Sequence, residues 1–333
     1  MESAFDFIER WCLVVSDHQR SVFISLLHST DSLGLNGLFH YFIDRIQPYR
    51  TALRLDSADG PRESDCLASG IVFFYGCIMY VMHFPGWGRH IEALFLYSML
   101  YLLVDHLLDD QSLDQISRKH IVFQLRQILT NRDESDSELH PELVVISATI
   151  NKLVAIAPAI SKPLLEIFEA EVAGIALQSN GNSSRLNYRD IAYRKGALTM
   201  AVVQAIVGDF SIEVSNATST IGALMQLIDD SIDVYQDKSH NIHTIATHDL
   251  ENQNFGSLDN LWFETVELIR TLPPRFRLFT MLYSSLIVYI PGRHPAAYSK
   301  EIRDQVWKHN IFGAVDGAGL LAQVLTRLVT ASK

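Results

Sequence analysis

Apolar residues recur every three to four positions along most of the chain, and this spacing predicts helices that each bury one face. The segments that follow it are 5–29, 88–109, 116–130, 142–157, 160–178, 188–208, 218–236 and 258–271. No segment shows the strict alternation of apolar and polar residues that is typical of a strand. Prolines fall between these segments or at their edges, because proline disrupts a helix interior. The pattern predicts an all-α protein of roughly ten to thirteen helices, forming a single domain over residues 1–333.

The most continuous apolar run, residues 68–84, reads ASGIVFFYGCIMYVMHF. A helix needs about 20 apolar residues to span the hydrocarbon core of a membrane, and this run is shorter. We therefore expect a buried core helix here and no transmembrane segment. Together with residues 94–104, the run offers more apolar surface than one helical core needs, which favours a dimer.

The composition favours a folded cytoplasmic protein that does not bind nucleic acid. Of the 333 residues, 48% are hydrophobic and 20% are charged, which is enough apolar material for a core. The formal net charge of -11, with no stripe of Lys and Arg, is unsuited to a phosphate backbone. Three cysteines without a CxxC pair favour reduced thiols over disulfides or structural zinc. The acidic N-terminal sequence MESAFDFIERWCLVV does not resemble a targeting leader, so we expect mature protein there.

Four aspartates interrupt the apolar sequence MQLIDDSIDVYQDK at residues 225–238. At about 3.6 residues per turn, Asp229, Asp233 and Asp237 fall on one helix face, and Asp230 lies beside them. Carboxylates at this spacing repel one another, so a cation is expected among them. A solvated charged face is the alternative, and it fits poorly because no Lys or Arg is interleaved. Mg²⁺ binds through carboxylates, phosphates and water, so the cluster predicts a site for a magnesium-bound diphosphate.

A second acidic patch ends another apolar segment, YLLVDHLLDD at residues 101–110. It places Asp105 and Asp109 four residues apart on one helix face, with Asp110 next to them. We expect the two acidic helices to face each other across a cavity. Taken alone, the same residues also fit a helix C-terminus that frays into the polar sequence DDQSLDQ.

Three histidines follow the aspartates of residues 225–238, at positions 240, 243 and 248. Their irregular spacing in a polar loop is a weak pattern for a metal site. We expect them to be ordinary loop residues.

The motifs resemble those of the trans-isoprenyl diphosphate synthases and of the class I terpene synthases that share their fold. QLIDDSIDVYQD is similar to the family's second aspartate-rich motif, in which a glutamine precedes DDxxD and a further aspartate follows. The matching residues are Gln226, Asp229, Asp230, Asp233 and Asp237. YRDIAYRKGAL resembles the upstream Ile-x3-Lys-Thr segment through Ile191 and Lys195, although Gly196 stands where threonine is usual. VDHLLDD resembles a degenerate first motif, in which His106 replaces the second aspartate.

The resemblance implies a helical bundle of the isoprenoid synthase type, with a central cavity between two facing aspartate-rich helices. It implies three Mg²⁺ ions, for which Mn²⁺ can substitute, an allylic prenyl diphosphate as substrate, and a homodimer. The implied metal ligands are Asp105, Asp109, Asp229, Asp233 and Asp237, with Asp110 and Asp230 as additional ligands or as residues that support the ligands. The implied catalytic residues are Lys195 and Gln226, and the implied diphosphate-binding residues are Lys195, Lys238 and Arg62.

The departures from the family concern the acceptor site, which binds isopentenyl diphosphate in the members that elongate chains. In the segment DGPRES, Pro61 replaces the family's lysine and Arg62 remains. The arginine pair expected just after the first motif is missing, since Arg118 and Lys119 come two helical turns later. Ser98 takes the place of a family histidine. Because arginine clamps make phosphate binding tight and oriented, we infer that the allylic site is kept and the acceptor site is lost.

We therefore expect a magnesium-dependent enzyme that ionises an allylic prenyl diphosphate and then cyclises, deprotonates or hydrates the cation, as terpene synthases do. The first alternative is a prenyltransferase, which elongates a chain or joins the cation to another acceptor, such as a second prenyl diphosphate. Asp105, Asp109 and Asp110 form a DxxxDD sequence that resembles squalene and phytoene synthases and keeps this alternative open. The second alternative is a weakly active partner subunit of a heteromeric prenyl synthase.

Overall fold

The computed structural model describes residues 35–53, 63–108, 113–130, 140–179, 183–252, 257–273, 276, 291 and 294–304 of the chain. Every regular element in these residues is a helix, and the prediction of an all-α protein is confirmed. The helix predicted over residues 5–29 lies outside the described residues.

Eleven α-helices lie in the described residues, and four short 3-10 helices accompany them. The α-helices are α1 (Leu35–Ile46), α2 (Glu63–Val81), α3 (Ile91–Leu108), α4 (Gln115–Leu129), α5 (Pro141–Ile156), α6 (Ser161–Gln178), α7 (Arg185–Val207), α8 (Ile212–Ile232), α9 (Val234–Ser239), α10 (Ile245–Asn252) and α11 (Asp259–Arg270). Six of the predicted segments each match one helix to within three residues. The predicted segment 218–236 instead begins earlier and is divided into α8 and α9.

Local hydrogen bonds set the starts of two of these helices. Asp114 caps α4, because its Oδ1 accepts a hydrogen bond from the Ser117 backbone N at 2.7 Å. Two threonines cap α10 reciprocally: Thr244 N donates to Thr247 Oγ1 at 2.8 Å, and Thr247 N donates to Thr244 Oγ1 at 3.3 Å. The cap of α10 also fixes the end of the loop that carries His243.

Contacts within the chain define two compact units. The described residues of the first unit lie within 35–168 and 205–208, and those of the second unit lie within 169–204 and 209–304. The boundary between the units therefore passes through α6 and α7. The single domain over residues 1–333 stays a prediction.

In the first unit, α3 is a core helix that packs against both α2 and α5. Thirteen of its 18 residues are buried, as expected of a helix that is apolar on nearly every side. Gly70 allows α2 to lie close to α3, because a Cβ at this position would lie 2.5 Å from Leu102 Cδ1 of α3. Phe74 and Tyr80 of α2 are fully buried, as expected for the core helix predicted over 68–84.

Part of the apolar surface that favours a dimer is buried within the chain itself. Residues 94–103 of α3 are buried, apart from the partly exposed Tyr101. These side chains therefore pack within the protein, and the dimer stays a prediction. The predicted dimer then depends on the family resemblance.

Among the described residues, one helix is long and apolar enough to cross a membrane by length and composition alone, the Trp87–Leu108 helix that contains α3. Within the most apolar stretch of 18 residues in this helix, 72% of the stretch is buried inside the protein. Core helices of ordinary globular proteins pass the same test, so a single helix of this kind is weak evidence for a membrane span.

In the second unit, charged side chains tie α7 to α10 and α11. Arg185 donates to both carboxylate oxygens of Asp249, at 2.7 Å and 2.9 Å, and to Glu264 Oε2 at 3.1 Å. Tyr193 OH donates to the other Glu264 oxygen at 2.6 Å. The Asp249 side chain is fully buried, so the bidentate pair compensates a carboxylate that has lost its water. These contacts fix α7, the helix that carries Lys195, within the second unit.

Candidate functional site

The candidate site lies where α7 crosses α8, at a pair of glycines. A Cβ at Gly196 would lie 2.0 Å from the Gly222 carbonyl oxygen, and a Cβ at Gly222 would lie 1.9 Å from the Gly196 carbonyl oxygen. The two backbones are therefore in direct contact, and only glycine fits at either position. In the sequence, Gly196 was a departure from the family's threonine, and the structure explains it as a packing requirement. The crossing brings Lys195 beside the helix that carries the aspartates.

Lys195 is the cation of the site. Its side chain is 14% exposed, and its Nζ lies 2.7 Å from Glu171 Oε2 on α6. Gly174 of α6 lies against the stem of Lys195, since a Cβ there would be 3.2 Å from Lys195 Cδ. Glu171 was missed at the sequence level because α6 also carries Glu166 and Glu169. Gly174, about one turn after Glu171, is the signal in the sequence, because a glycine within a helix often indicates that another chain segment packs closely there.

Asp230 is the buried carboxylate of the site. Its relative exposure is 6%, and Gln226 Nε2 donates a hydrogen bond to its Oδ1 at 2.9 Å. Burial raises the pKa of Asp230 to about 7, although the Gln226 hydrogen bond and the Lys195 charge both lower it. The negative charge of Asp230 is therefore only partly compensated, and additional positive charge beside it would be favourable.

Asp229, the first aspartate of the motif, is exposed to solvent, and yet the protein around it raises the pKa of its carboxyl to about 7. Desolvation by the surrounding protein is the largest cause, followed by the charges of Asp233 and Asp230, while Lys195 lowers the pKa. Because water reaches Asp229, its desolvation is partial, and an ion from solvent has access to it.

The helix that carries the aspartates is not continuous. α8 ends one residue before Asp233, which has φ -95° and ψ 5°, and α9 begins one residue after it. Backbone hydrogen bonds still join Asp233 N to Asp229 O at 3.0 Å and Asp237 N to Asp233 O at 2.8 Å. The four-residue spacing is therefore kept across the break, while the prediction of one unbroken helix over 218–236 is wrong.

A small recess lies beside Lys195 and Asp230. Its polar lining comes from α6, α7, α8 and the segment before α10, and it comprises Gln178, Tyr188, Lys195, Gln226, Asp230, His243 and Thr244. The recess has room for about one water molecule or ion, and none for an isoprenoid chain. His243 is held in place by its backbone N, which donates to Gln178 O at 3.2 Å.

Lys238, which was predicted to bind diphosphate, lies on the surface of the second unit. Its Nζ pairs with Glu251 Oε1 at 3.3 Å, and its side chain is 47% exposed. Asp105 is an exposed residue of α3 in the first unit, and Asp233 and Asp237 are partly exposed in the second. The predicted residues that lie outside the described part of the chain are Arg62, Asp109 and Asp110. The predicted residues that meet at the recess or beside it are Lys195, Gln226, Asp229 and Asp230.

The acidic residues of the site suit Mg²⁺ by their chemistry. Within the described ranges, no group of three or more His, Cys, Asp or Glu side chains is placed to hold an ion by itself. Mg²⁺ is commonly held by one or two carboxylates together with phosphates and water, and Asp229 and Asp230 offer two. The Asp229 carboxylate accepts no hydrogen bond from the described residues, so its oxygens are open to a ligand. The pair therefore fits the protein's share of a diphosphate-bound ion.

The chain matches no family model, no curated protein and no solved structure. The resemblance of the motifs to those of the isoprenoid synthases stays a prediction from the sequence.

Proposed function

We propose that the chain ionises an allylic prenyl diphosphate at this site with Mg²⁺, and that the cation is then cyclised, deprotonated or captured by water. The observation that carries the proposal is the recess that Lys195 of α7 and Asp230 of α8 line together, with Asp229 adjacent to Asp230 in the chain. A metal-bound diphosphate needs carboxylates for the ion and a cation for the phosphate oxygens, and this site offers both. The motif from Gln226 to Asp237 supports the choice of a prenyl diphosphate.

Lys195 would act on the departing diphosphate. Its ammonium group has three N–H donors, and it lies mostly out of bulk water, where its charge acts more strongly. When the bond between the allylic carbon and the diphosphate oxygen breaks, both electrons leave with the oxygen. Lys195 would stabilise the negative charge that this oxygen gains, which lowers the barrier to ionisation.

Asp229 and Asp230 would hold the metal ion. Bound Mg²⁺ would neutralise part of the diphosphate charge as a Lewis acid. Burial raises the pKa of Asp230 to about 7, so the metal-free site is partly protonated at this carboxyl near neutral pH and would release the proton to an ion. Metal binding is therefore expected to strengthen as the pH rises through 7.

The missing acceptor-site cations favour a lyase over chain elongation. Losing one bidentate contact between arginine and phosphate costs on the order of 1.5 to 3 kcal/mol. The chain departs from the family at three acceptor-site groups, so isopentenyl diphosphate is expected to bind weakly. The allylic cation would then lose a proton, with or without cyclisation, to give a hydrocarbon, or would take up water to give an alcohol.

The decisive experiment is incubation of the purified protein and Mg²⁺ with geranyl, farnesyl and geranylgeranyl diphosphates, with and without isopentenyl diphosphate. We expect pyrophosphate release and a hydrocarbon or alcohol from at least one substrate. The product is expected to be the same when isopentenyl diphosphate is added. Turnover that persists in excess chelator would contradict the role of the metal.

Substitution of Lys195 tests the assigned residue. Lys195→Ala is expected to raise KM and to lower kcat, because the ammonium group acts on both the bound and the departing diphosphate. Lys162→Ala is the control, since this lysine of α6 is 84% exposed and pairs with Glu166 on the surface. Wild-type kinetics in Lys195→Ala would remove the proposed site.

The same assay separates the two alternatives. Longer prenyl diphosphates that form with isopentenyl diphosphate would identify a prenyltransferase, and Arg62→Ala should then abolish elongation while sparing pyrophosphate release. A product of two joined prenyl chains would identify condensation between prenyl diphosphates. A chain that is inactive alone and active with a second protein would identify a partner subunit.

A further inference from the structure

The ion pair between Lys195 and Glu171 belongs to a larger set of charges. Lys195 Nζ lies 2.7 Å from Glu171 Oε2, and its charge also lowers the pKa of both Asp229 and Asp230. The Glu171 charge raises the pKa of Asp229, so the glutamate acts on the same carboxyl with the opposite sign. The ammonium group of Lys195 therefore interacts with carboxylates on α6 and α8, and Asp233 and Asp237 add negative charge beside them.

The position of Lys195 within this set decides how much negative charge is left for an ion. Its side chain is 14% exposed and that of Glu171 is 22% exposed, so solvent screens the pair less than it would a surface pair. Gly174 brings the stem of Lys195 close to α6 and towards Glu171. An ammonium group that turned to Asp229 or Asp230 instead would compete with a divalent cation for the same oxygens.

We propose that Glu171 is a positioning residue that draws Lys195 away from the carboxylates of Asp229 and Asp230 and so leaves them open to a divalent cation. This inference rests on the proposed function, because it assumes that the two aspartates bind metal. Without Glu171, the Lys195 charge remains coupled to the carboxylates of Asp229 and Asp230, beside which Asp233 adds further negative charge.

A purely structural role for Glu171 makes a different prediction. If Glu171 served only to compensate the charge of Lys195, its loss would lower stability and would affect metal binding only through unfolding. If Glu171 positions Lys195, its loss weakens metal binding through the lysine, and removing the lysine as well restores that binding. The double variant therefore distinguishes the two roles.

The experiment is titration of the metal-free protein with Mn²⁺ alone, followed by electron paramagnetic resonance of the free ion. Glu171→Gln is expected to weaken Mn²⁺ binding by about 10- to 100-fold, the usual effect of removing a group that supports metal ligands. Lys195→Met is expected to tighten it, because a competing cation is removed. The variant that carries both changes is expected to bind about as tightly as Lys195→Met, because Glu171 has nothing left to position once the lysine is gone.

Glu166→Gln is the matched control, since this glutamate lies on the same helix, is 45% exposed and pairs with Lys162 at 3.7 Å. Its Mn²⁺ affinity is expected to equal that of the wild type. Unchanged affinity in Glu171→Gln, or equal weakening in Glu171→Gln and in the double variant, would overturn the inference and leave the proposed function standing. No Mn²⁺ binding by the wild type would overturn the inference and leave the proposed function standing, because diphosphate supplies the remaining ligands of the ion there.

Circular dichroism of each variant shows whether the fold is intact. Should Glu171→Gln fail to fold, the comparison of the double variant with Lys195→Met decides the matter. Equal Mn²⁺ affinity in these two variants supports the inference, because Glu171 then acts only through the lysine, and weaker binding in the double variant overturns it.

Discussion

Asp230 couples the chemistry of the site to the stability of the chain. Its pKa is raised from 3.8 to about 7, chiefly by burial. Between these values the folded chain holds a proton that the unfolded chain has released, so the free energy of unfolding falls as the pH rises and levels off above about 7. Asp230→Asn removes this dependence and keeps an oxygen acceptor for Gln226. We expect the variant to gain a few kcal/mol over the wild type across this range, at about 1.4 kcal/mol per pKa unit.

Urea unfolding in metal-free buffer at several pH values measures this difference. Asp44→Asn, a substitution of an exposed aspartate in α1, is the control and should follow the wild type. Parallel curves for Asp230→Asn and the wild type would show that Asp230 does not hold the proton.

At the scale of single residues, only those residues of the candidate site that lie within one segment could be predicted from the sequence. The spacing of Gln226, Asp229 and Asp230 lies within one helix, so a local pattern identifies it. Glu171 and Gly222 were missed, because each acts on a residue of another helix. The apolar spacing within one segment does not indicate which other helix the segment packs against, because that depends on the packing of the whole chain.

The contact of α7 with α8 gives a prediction at the scale of helices. Gly196→Thr would install the residue that the family usually carries, but its Cβ would lie 2.0 Å from the Gly222 carbonyl oxygen. The overlap is with backbone, which cannot rotate away, so the helices must separate. We expect a loss of about 3 kcal/mol or more in the free energy of unfolding, measured by urea unfolding.

Gly174→Ala is the matched comparison for this prediction. Its new Cβ would meet the flexible side chain of Lys195 at 3.2 Å, and alanine favours the helix by up to about 1 kcal/mol. We expect its stability to lie within about 1 kcal/mol of the wild type. Equal losses in Gly174→Ala and Gly196→Thr would mean that the glycine contact between α7 and α8 is not specific.

The ion pairs at the start of α7 give a second prediction at this scale. Arg185→Ala would leave the fully buried carboxylate of Asp249 without its bidentate partner. Removing one partner of a buried pair typically costs about 3 to 5 kcal/mol. Arg270→Ala is the control, because Arg270 pairs with the exposed Glu267 and should cost less than about 1 kcal/mol. Thermal unfolding of both variants checks the difference, and similar losses would contradict it.

The helices themselves were largely predictable, because their apolar spacing and their prolines are local signals. The break at Asp233 was not. Neither proline nor glycine marks it, and the apolar spacing continues from Ile232 into Val234. The break separates α8 from α9, and α9 packs against α10 rather than continuing as one straight helix. A tertiary contact of this kind leaves no mark in the segment that bends.

At the scale of the whole molecule, the family resemblance predicts a homodimer. Size-exclusion chromatography with light scattering should give twice the mass of one chain at micromolar concentration. Dilution should shift the mass towards that of a single chain at the dissociation constant. A monomer at every concentration would exclude the dimer without bearing on the ionisation chemistry.

The burial of α3 has a consequence for the chain as it is synthesised. α3 ends at Leu108, and its partner α5 ends at Ile156, 48 residues later. At about 5 to 20 residues per second, the ribosome needs about 2 to 10 s to deliver this stretch. During that time α2 is already available to α3, but the apolar face of α3 that packs against α5 has no partner. Such a segment is a binding site for chaperones, so the yield of folded protein is expected to fall when translation outpaces their supply.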